Sequence, residues 1–327
     1  MDGPGGDLLE SGLKKKLLNL LKIVLSLGLL ALVLLSVGVQ DALDALRGLD
    51  WRYLAVAFVL FQAGLVIRAY RWHVLLRALG VSVTYGRLVM LYFVGFFFNT
   101  FLPSGFGGDV VKMFELSQHS HRGAESVSAV LADRIVGLLA SCLLALIGLA
   151  FGFRLVPRPV AGVIAALTLA ILGGGWVLLQ RDLWERLPLI GRLARQERVR
   201  KLSAAMLAYD GRSLLAALLV GIVFTMVLAG TNLCVALALG VRISPLYFIL
   251  FVPVIGTVTA LPISLNGLGV RESIYVALFT QAGVQDSQAV AMSLVIYALR
   301  LCAGAIGGVL YAVSGARELA ARADQTN

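Results

Sequence analysis

Long apolar runs separated by short charged stretches dominate the chain. A helix needs about 20 apolar residues to cross the hydrocarbon core. Six runs reach that length: Leu17–Val39, Tyr53–Leu76, Val127–Phe153, Val160–Gln180, Leu214–Leu239 and Ala289–Val313. The first follows Lys14, Lys15 and Lys16 and shows no small-residue cleavage site, so it reads as a retained signal anchor. Two further runs are short. Leu88–Leu102 stops at Pro103, after about 22 Å of helix. Leu246–Leu261 is interrupted by Pro253 and ends at Pro262. Each is followed by a Gly-rich polar turn and a second amphipathic run, Val110–Ser117 and Val270–Gln281. Short segments broken by Pro and Gly at corresponding places in two halves point to a transporter-type site.

Composition narrows the class. Of 327 residues, 59% are hydrophobic and only 14% charged, with a mean hydropathy of +0.91. Soluble domains carry about 25% charged residues. A disordered chain, a secreted disulfide scaffold and a cytosolic enzyme are therefore excluded, and the fold class is an all-α polytopic membrane protein. The formal charge of +10 raises nucleic-acid binding, but Lys and Arg cluster at the edges of apolar runs, where they set membrane orientation. No nucleic-acid partner is expected. Cys142, Cys234 and Cys302 lie inside apolar stretches without metal-ligand spacing and read as small packing residues.

Charge sidedness gives the topology. With six full crossings and both short pairs re-entering on the side they came from, Arg47, Arg52, Arg154, Arg158 and Arg242 fall outside. Arg134, Arg271 and Arg300 are embedded, and the remaining 20 of the 28 basic residues fall on the cytoplasmic side. That split obeys the positive-inside rule with both termini in the cytoplasm. It also opposes the two re-entrant hairpins, giving an inverted repeat with halves at about 50–153 and 213–315 inside a single membrane domain, 13–315. A flexible tail over 1–12 and a C-terminal tail over 316–327 flank it. The basic loop 181–212 suits either an interfacial helix on anionic headgroups or a solvated linker. The expected location is the inner, cytoplasmic membrane.

Two motifs carry the chemistry. The first comprises Asn99, Pro103, Ser104, Gly107, Gly108, Asp109 and Lys112; the second comprises Pro262, Ser264, Asn266, Gly267, Gly269, Arg271 and Glu272. Each precedes a crossing with an embedded arginine, Arg134 beside Asp133 in one half and Arg300 in the other. A helix that stops within the membrane leaves unpaired N–H groups and a partial positive charge facing the cavity. Glycines allow a ligand to approach that backbone, and the start of the second arm suits an anion such as phosphate. An arginine buried in a crossing must be paired or bound to an anion. An amphiphile with a phosphate headgroup satisfies all of these groups together. Asp109, Asp133 and Glu272 are the candidates for gating or carrying a proton.

Plainer readings stand beside these. Asp109 and Glu272 fit helix caps or first-turn charges. Arg134 fits a salt bridge to Asp133 or Asp109, and Arg300 one to Glu272. Arg68, Arg71 and Trp72 fit snorkelling anchors at the membrane interface. Ser104 and Ser264 lack a base at matching depth, because His73, His119 and His121 sit at the membrane edge, so no enzyme is expected. Glu115, His119, His121 and Glu125 form a loose cluster that reads as a solvated loop rather than a metal site. No cofactor is called for.

The combined pattern resembles the lysylphosphatidylglycerol synthase transmembrane-region family of flippase-like membrane proteins. The residues that carry the likeness are Arg68, Arg71 and Trp72; Asn99, Pro103, Gly107, Gly108 and Asp109; Ala132, Asp133, Arg134 and Gly137; and Pro262, Ser264, Asn266, Gly267, Gly269, Arg271 and Glu272. The likeness runs over roughly 15–315. In two-domain members this region is associated with moving an aminoacylated phospholipid that a soluble C-terminal domain makes. With the chain ending at Asn327, a stand-alone member without that synthase domain is expected. The resemblance implies a flippase or scramblase for an anionic phospholipid, an aminoacyl- or glyco-lipid, or a polyprenyl phosphate. A secondary transporter of a small anionic solute and a non-transporting accessory subunit are the alternatives. A homodimer is one assembly open to such a chain.

Overall fold

The computed structural model describes residues 46–101, 107–120, 122–152, 204–206, 208–260 and 267–325, with scattered residues between 158 and 173. The expected crossing Leu17–Val39, most of Val160–Gln180, most of loop 181–212 and the tail 1–12 lie outside these residues. Among the described residues eight α-helices follow one another: α1 (Trp51–Ala78), α2 (Tyr85–Phe101), α3 (Gly107–Ser120), α4 (Gly123–Gly152), α5 (Gly211–Ala238), α6 (Pro245–Thr259), α7 (Val270–Phe279) and α8 (Asp286–Gln325). One 3₁₀ turn, Thr280–Ala282, extends α7. Among the described residues α1, α4, α5 and the part of α8 over Asp286–Ser314 are long and apolar enough to cross a membrane. They coincide with four of the six expected crossings. α2 and α6, at 17 and 15 residues, are about 26 and 22 Å long and fall short of the ~30 Å core.

Local sequence explains the boundaries. Asp50 and Asp210 cap α1 and α5, their carboxylates accepting the Arg52 and Ser213 N–H groups. Both helices end in the same way. The Gly80 N–H donates to the Arg77 carbonyl and the Val81 N–H to that of Leu76; the Gly240 and Val241 N–H groups donate likewise to Leu237 and Ala236. This is the Schellman arrangement, and it needs a left-handed residue. Gly80 at φ 69° and Gly240 at φ 73° supply it. The two turns share the tetrapeptide Ala-Leu-Gly-Val at 78–81 and 238–241, 160 residues apart. It is the clearest sequence mark of the repeat, and the motif-based reading above passed over it.

Pro253 does not interrupt α6, which runs unbroken from Pro245 to Thr259. That expectation is corrected. Proline removes one helical hydrogen bond, and the Thr257 hydroxyl donates back to the Pro253 carbonyl one turn later.

α1 and its counterpart α5 pack side by side and antiparallel. The Asp50 N–H, at the start of α1, donates to the Ala238 carbonyl at the end of α5. Gly64 lies against Phe224 and Arg71 against Gly221 along the same seam. The other helices cross over between halves: α2 packs on α8, and α6 on α4. Close backbone approach makes the first of these contacts possible. A methyl group on Gly307 of α8 would stand 2.0 Å from the Phe93 carbonyl oxygen of α2. The halves are thus an inverted and interlocked repeat, and the polar residues of both meet around the α1–α5 seam.

Candidate functional site

Among the described residues the interior charges form two networks and one pair without counter-charges. In the first half Asp133 of α4 is buried; its carboxylate accepts from Arg71 Nε at 2.7 Å and from the Tyr92 hydroxyl at 2.9 Å. The Arg71 guanidinium lies in a slot between Gly137 and Gly221, where added methyl groups would stand 2.8 and 3.4 Å from its nitrogens. Arg71 and Trp72 are 2% and 0% exposed. The interface-anchor reading is therefore corrected for both: their side chains face the bundle, not its rim. On α3, Asp109 binds Lys112 Nζ at 2.8 Å and also Arg134 of α4. The Lys112 ammonium sits over the Tyr92 ring at 4.4 Å, which ties this ion pair to the Asp133 cluster.

In the second half the buried Glu272 takes three donors. Its carboxylate accepts the Gly269 N–H at 2.6 Å, the Ser293 hydroxyl at 2.9 Å and Arg271 at 3.4 Å. Arg271 Nε donates to Ser293 Oγ, and its guanidinium lies over Tyr297. Tyr275 donates to Asn232, whose amide donates in turn to the Leu228 carbonyl. Position 109 corresponds to 269 and 112 to 272 at the 160-residue offset. The first half pairs a carboxylate with a lysine three residues on. The second pairs a backbone N–H with a carboxylate in the same relation.

Two expectations change here. The Arg300–Glu272 bridge is absent, because Glu272 serves Arg271 and Gly269. The Gly turns also do not present all their amides to a ligand: the Gly108 N–H is held by the Asn99 side chain at 2.8 Å, and the Gly269 N–H by Glu272. Pro103, Ser104, Ser264 and Asn266 lie outside the described residues. Gly107 opens α3, and Gly267 and Gly269 hold φ of 81° and 78° ahead of α7.

The remaining cations are Arg68 of α1 and Arg300 of α8. Both line one cavity of about 90 Å³ on the α1–α5 seam, walled by Phe61, Leu65, Phe96, Phe224 and Leu228. The Nε atoms of both are buried without a hydrogen-bond partner. Neither has a carboxylate within ion-pair distance among the described residues; instead Arg68 stacks over Tyr92 and Phe224 at 5.2 Å, and Arg300 over Phe96 at 5.6 Å. Arg300 is the central residue of the 29-residue span Asp286–Ser314, which is long and apolar enough to cross a membrane. Among the described residues around the seam six cations, Arg68, Arg71, Lys112, Arg134, Arg271 and Arg300, face three carboxylates, Asp109, Asp133 and Glu272.

Sequence reasoning placed Arg300 in the site but left Arg68 at the interface. The signal was available: Arg68 lies 17 residues after Trp51 in a 28-residue apolar helix, too deep for easy snorkelling.

A UPF0104 membrane protein of Methanothermobacter thermautotrophicus is 31% identical over 173 residues, covering 50% of this chain and 51% of that protein. One of Pyrococcus horikoshii is 25% identical over 122 residues, 36% of each. The chain thus spans about a third to a half of the length of these relatives. The lysylphosphatidylglycerol synthase TM region family matches over residues 19–308, nearly the whole length. With its apolar crossings, broken-helix motifs and embedded arginines accounted for, the chain belongs to that family of multi-pass membrane proteins.

Proposed function

We propose that this protein is a lipid translocase that moves an anionic or phosphate-bearing lipid across the cytoplasmic membrane, with both termini inside. The observation that carries this reading is the cavity at mid-membrane depth, where Arg68 and Arg300 have apolar walls and no counter-charge among the described residues. A cation held in such a place is costly unless an anion visits it. In this scheme α2–α3 and α6–α7 are the two re-entrant hairpins, opposed because their halves are inverted. Rocking of one interlocked half against the other exposes the seam to each leaflet in turn.

The charged residues divide the work. Arg300 and Arg68 hold the headgroup. Asp109, whose partner Arg134 remains 32% exposed, is the carboxylate most open to change and serves as the gate. Asp133 and Glu272 are saturated with donors, and each holds the helices of its own half together. Asn99 closes the start of α3 while the site is empty, and a phosphate oxygen takes its place when the lipid arrives.

Reconstitution in vesicles with a fluorescent anionic phospholipid tests this. Wild-type protein should speed equilibration between leaflets well above protein-free vesicles. Arg300→Gln should lower the rate at least tenfold while remaining monodisperse. Wild-type rates in a well-folded Arg68→Gln/Arg300→Gln double variant would refute it. Uptake of a soluble anion without lipid movement would instead establish the solute-transporter reading.

A further inference from the structure

We infer that the Arg68–Arg300 cavity is built for a phosphomonoester, so that the preferred cargo is a lipid ending in a doubly charged phosphate rather than a phosphodiester. The inference rests on the translocase reading for the lipid, but the cavity's chemistry stands apart from transport. Among the described residues every other interior cation has a carboxylate: Arg71 has Asp133, Arg271 has Glu272, and Lys112 and Arg134 share Asp109. The one excess charge in those sets falls at Arg134, which is part-exposed to solvent. Two cations remain, and both face the same small space.

Charge balance selects the ligand. A phosphomonoester carries about −1.5 to −2 at pH 7; a phosphodiester carries a single charge and leaves one guanidinium uncompensated in an apolar wall. An uncompensated interior charge is what a membrane bundle tolerates least. Guanidinium forks suit the three terminal oxygens of a monoester, which esterification reduces to two free ones. The rest of the wall is equally selective. Among the described lining residues the only other polar side chain is Thr231, and its hydroxyl already donates to the Val227 carbonyl. Nothing else in that wall offers a hydroxyl or amide to a sugar or amino headgroup. At about 90 Å³ the space is several times the ~10–15 Å³ that holds one water, enough for a compact tetrahedral anion.

The test compares two lipids that differ by one methyl group. Phosphatidic acid and phosphatidylmethanol with the same acyl chains are titrated against the detergent-purified protein, and bound lipid is read by native mass spectrometry at pH 7.5. Phosphatidic acid should bind at least tenfold more tightly, and Arg68→Gln or Arg300→Gln should bring the ratio close to one. Either variant suffices if the other is not recovered folded. Equal binding of the two lipids by wild-type protein, or an unchanged ratio in a folded variant, overturns the inference. Inorganic phosphate is the third probe. If it competes as strongly as the lipid, the site is a phosphate site whose ligand is a solute, and the translocase reading fails while the monoester reading stands. Selective phosphatidic acid binding with no lipid movement in vesicles likewise separates the two.

Discussion

Asp133→Asn should destabilise the protein far more than it alters any chemistry. The wild-type carboxylate is buried and neutralises Arg71, which is itself 2% exposed and confined between Gly137 and Gly221. Asparagine keeps the shape and can still accept one bond, but it leaves the guanidinium's charge stranded. Removing one member of a buried pair costs about 3–5 kcal/mol. Total stabilities are of order 5–15 kcal/mol, so the loss takes a large share. For domains of 150–250 residues about 2–4 °C of Tm goes with each kcal/mol, which puts the expected fall at roughly 10 °C. Thermal unfolding of detergent-purified protein, followed by tryptophan fluorescence, measures it. The double variant Arg71→Met/Asp133→Leu should recover most of the loss, since apolar replacement of a buried pair is often neutral or stabilising. A Tm within about 2 °C of wild type in Asp133→Asn would refute the reasoning. If that stable protein also lost transport, Asp133 would take over the gating role assigned to Asp109.

Three further outcomes follow from the geometry. Gly108→Ala should not fold to a monodisperse species, because its Cβ would stand 1.7 Å from the Gly95 carbonyl oxygen where α2 and α3 touch; size-exclusion profiles show this. Gly240→Ala, at φ 73° with open space around it, should cost about 1–2 kcal/mol through left-handed strain alone, visible as a modest fall in Tm. Cysteines introduced in 181–212 and 281–286 should label from opposite sides of the membrane, and labelling of both from one side would sink the inverted topology.

The crossings were legible because hydrocarbon imposes its length directly on sequence: Tyr53–Leu76 and Leu214–Leu239 need only be counted. The second arms were legible too, since glycines mark where they begin, Gly107 at the start of α3 and Gly267 and Gly269 just ahead of α7. Pairings were not. Arg134 had two carboxylates within plausible reach, Asp133 and Asp109, and the partner Asp133 takes instead, Arg71, lies 62 residues away on another helix, a choice made by the slot that Gly137 and Gly221 leave open. Pro253 misled for a different reason. A proline weakens one helical bond, but neighbouring helices and Thr257 hold α6 together around it. Arg68 was misplaced because an arginine four residues from Trp72 looks like a belt residue until the fold shows which face it occupies.

The crossing-over of α2 onto α8 and of α6 onto α4 has a consequence for how the chain is made. Phe101 ends α2, and Asp286 begins its partner 185 residues later. At about 5–20 residues per second of synthesis, α2 waits roughly 10–40 s in the bilayer before the helix that covers it emerges. Through that interval Thr100, Phe97 and the narrow face around Phe93 wait for Gly304 and Gly307 of α8 to cover them. Neither half can therefore mature as a finished unit ahead of the other, and a ribosome stalled in the second half would leave the first without its closing helix.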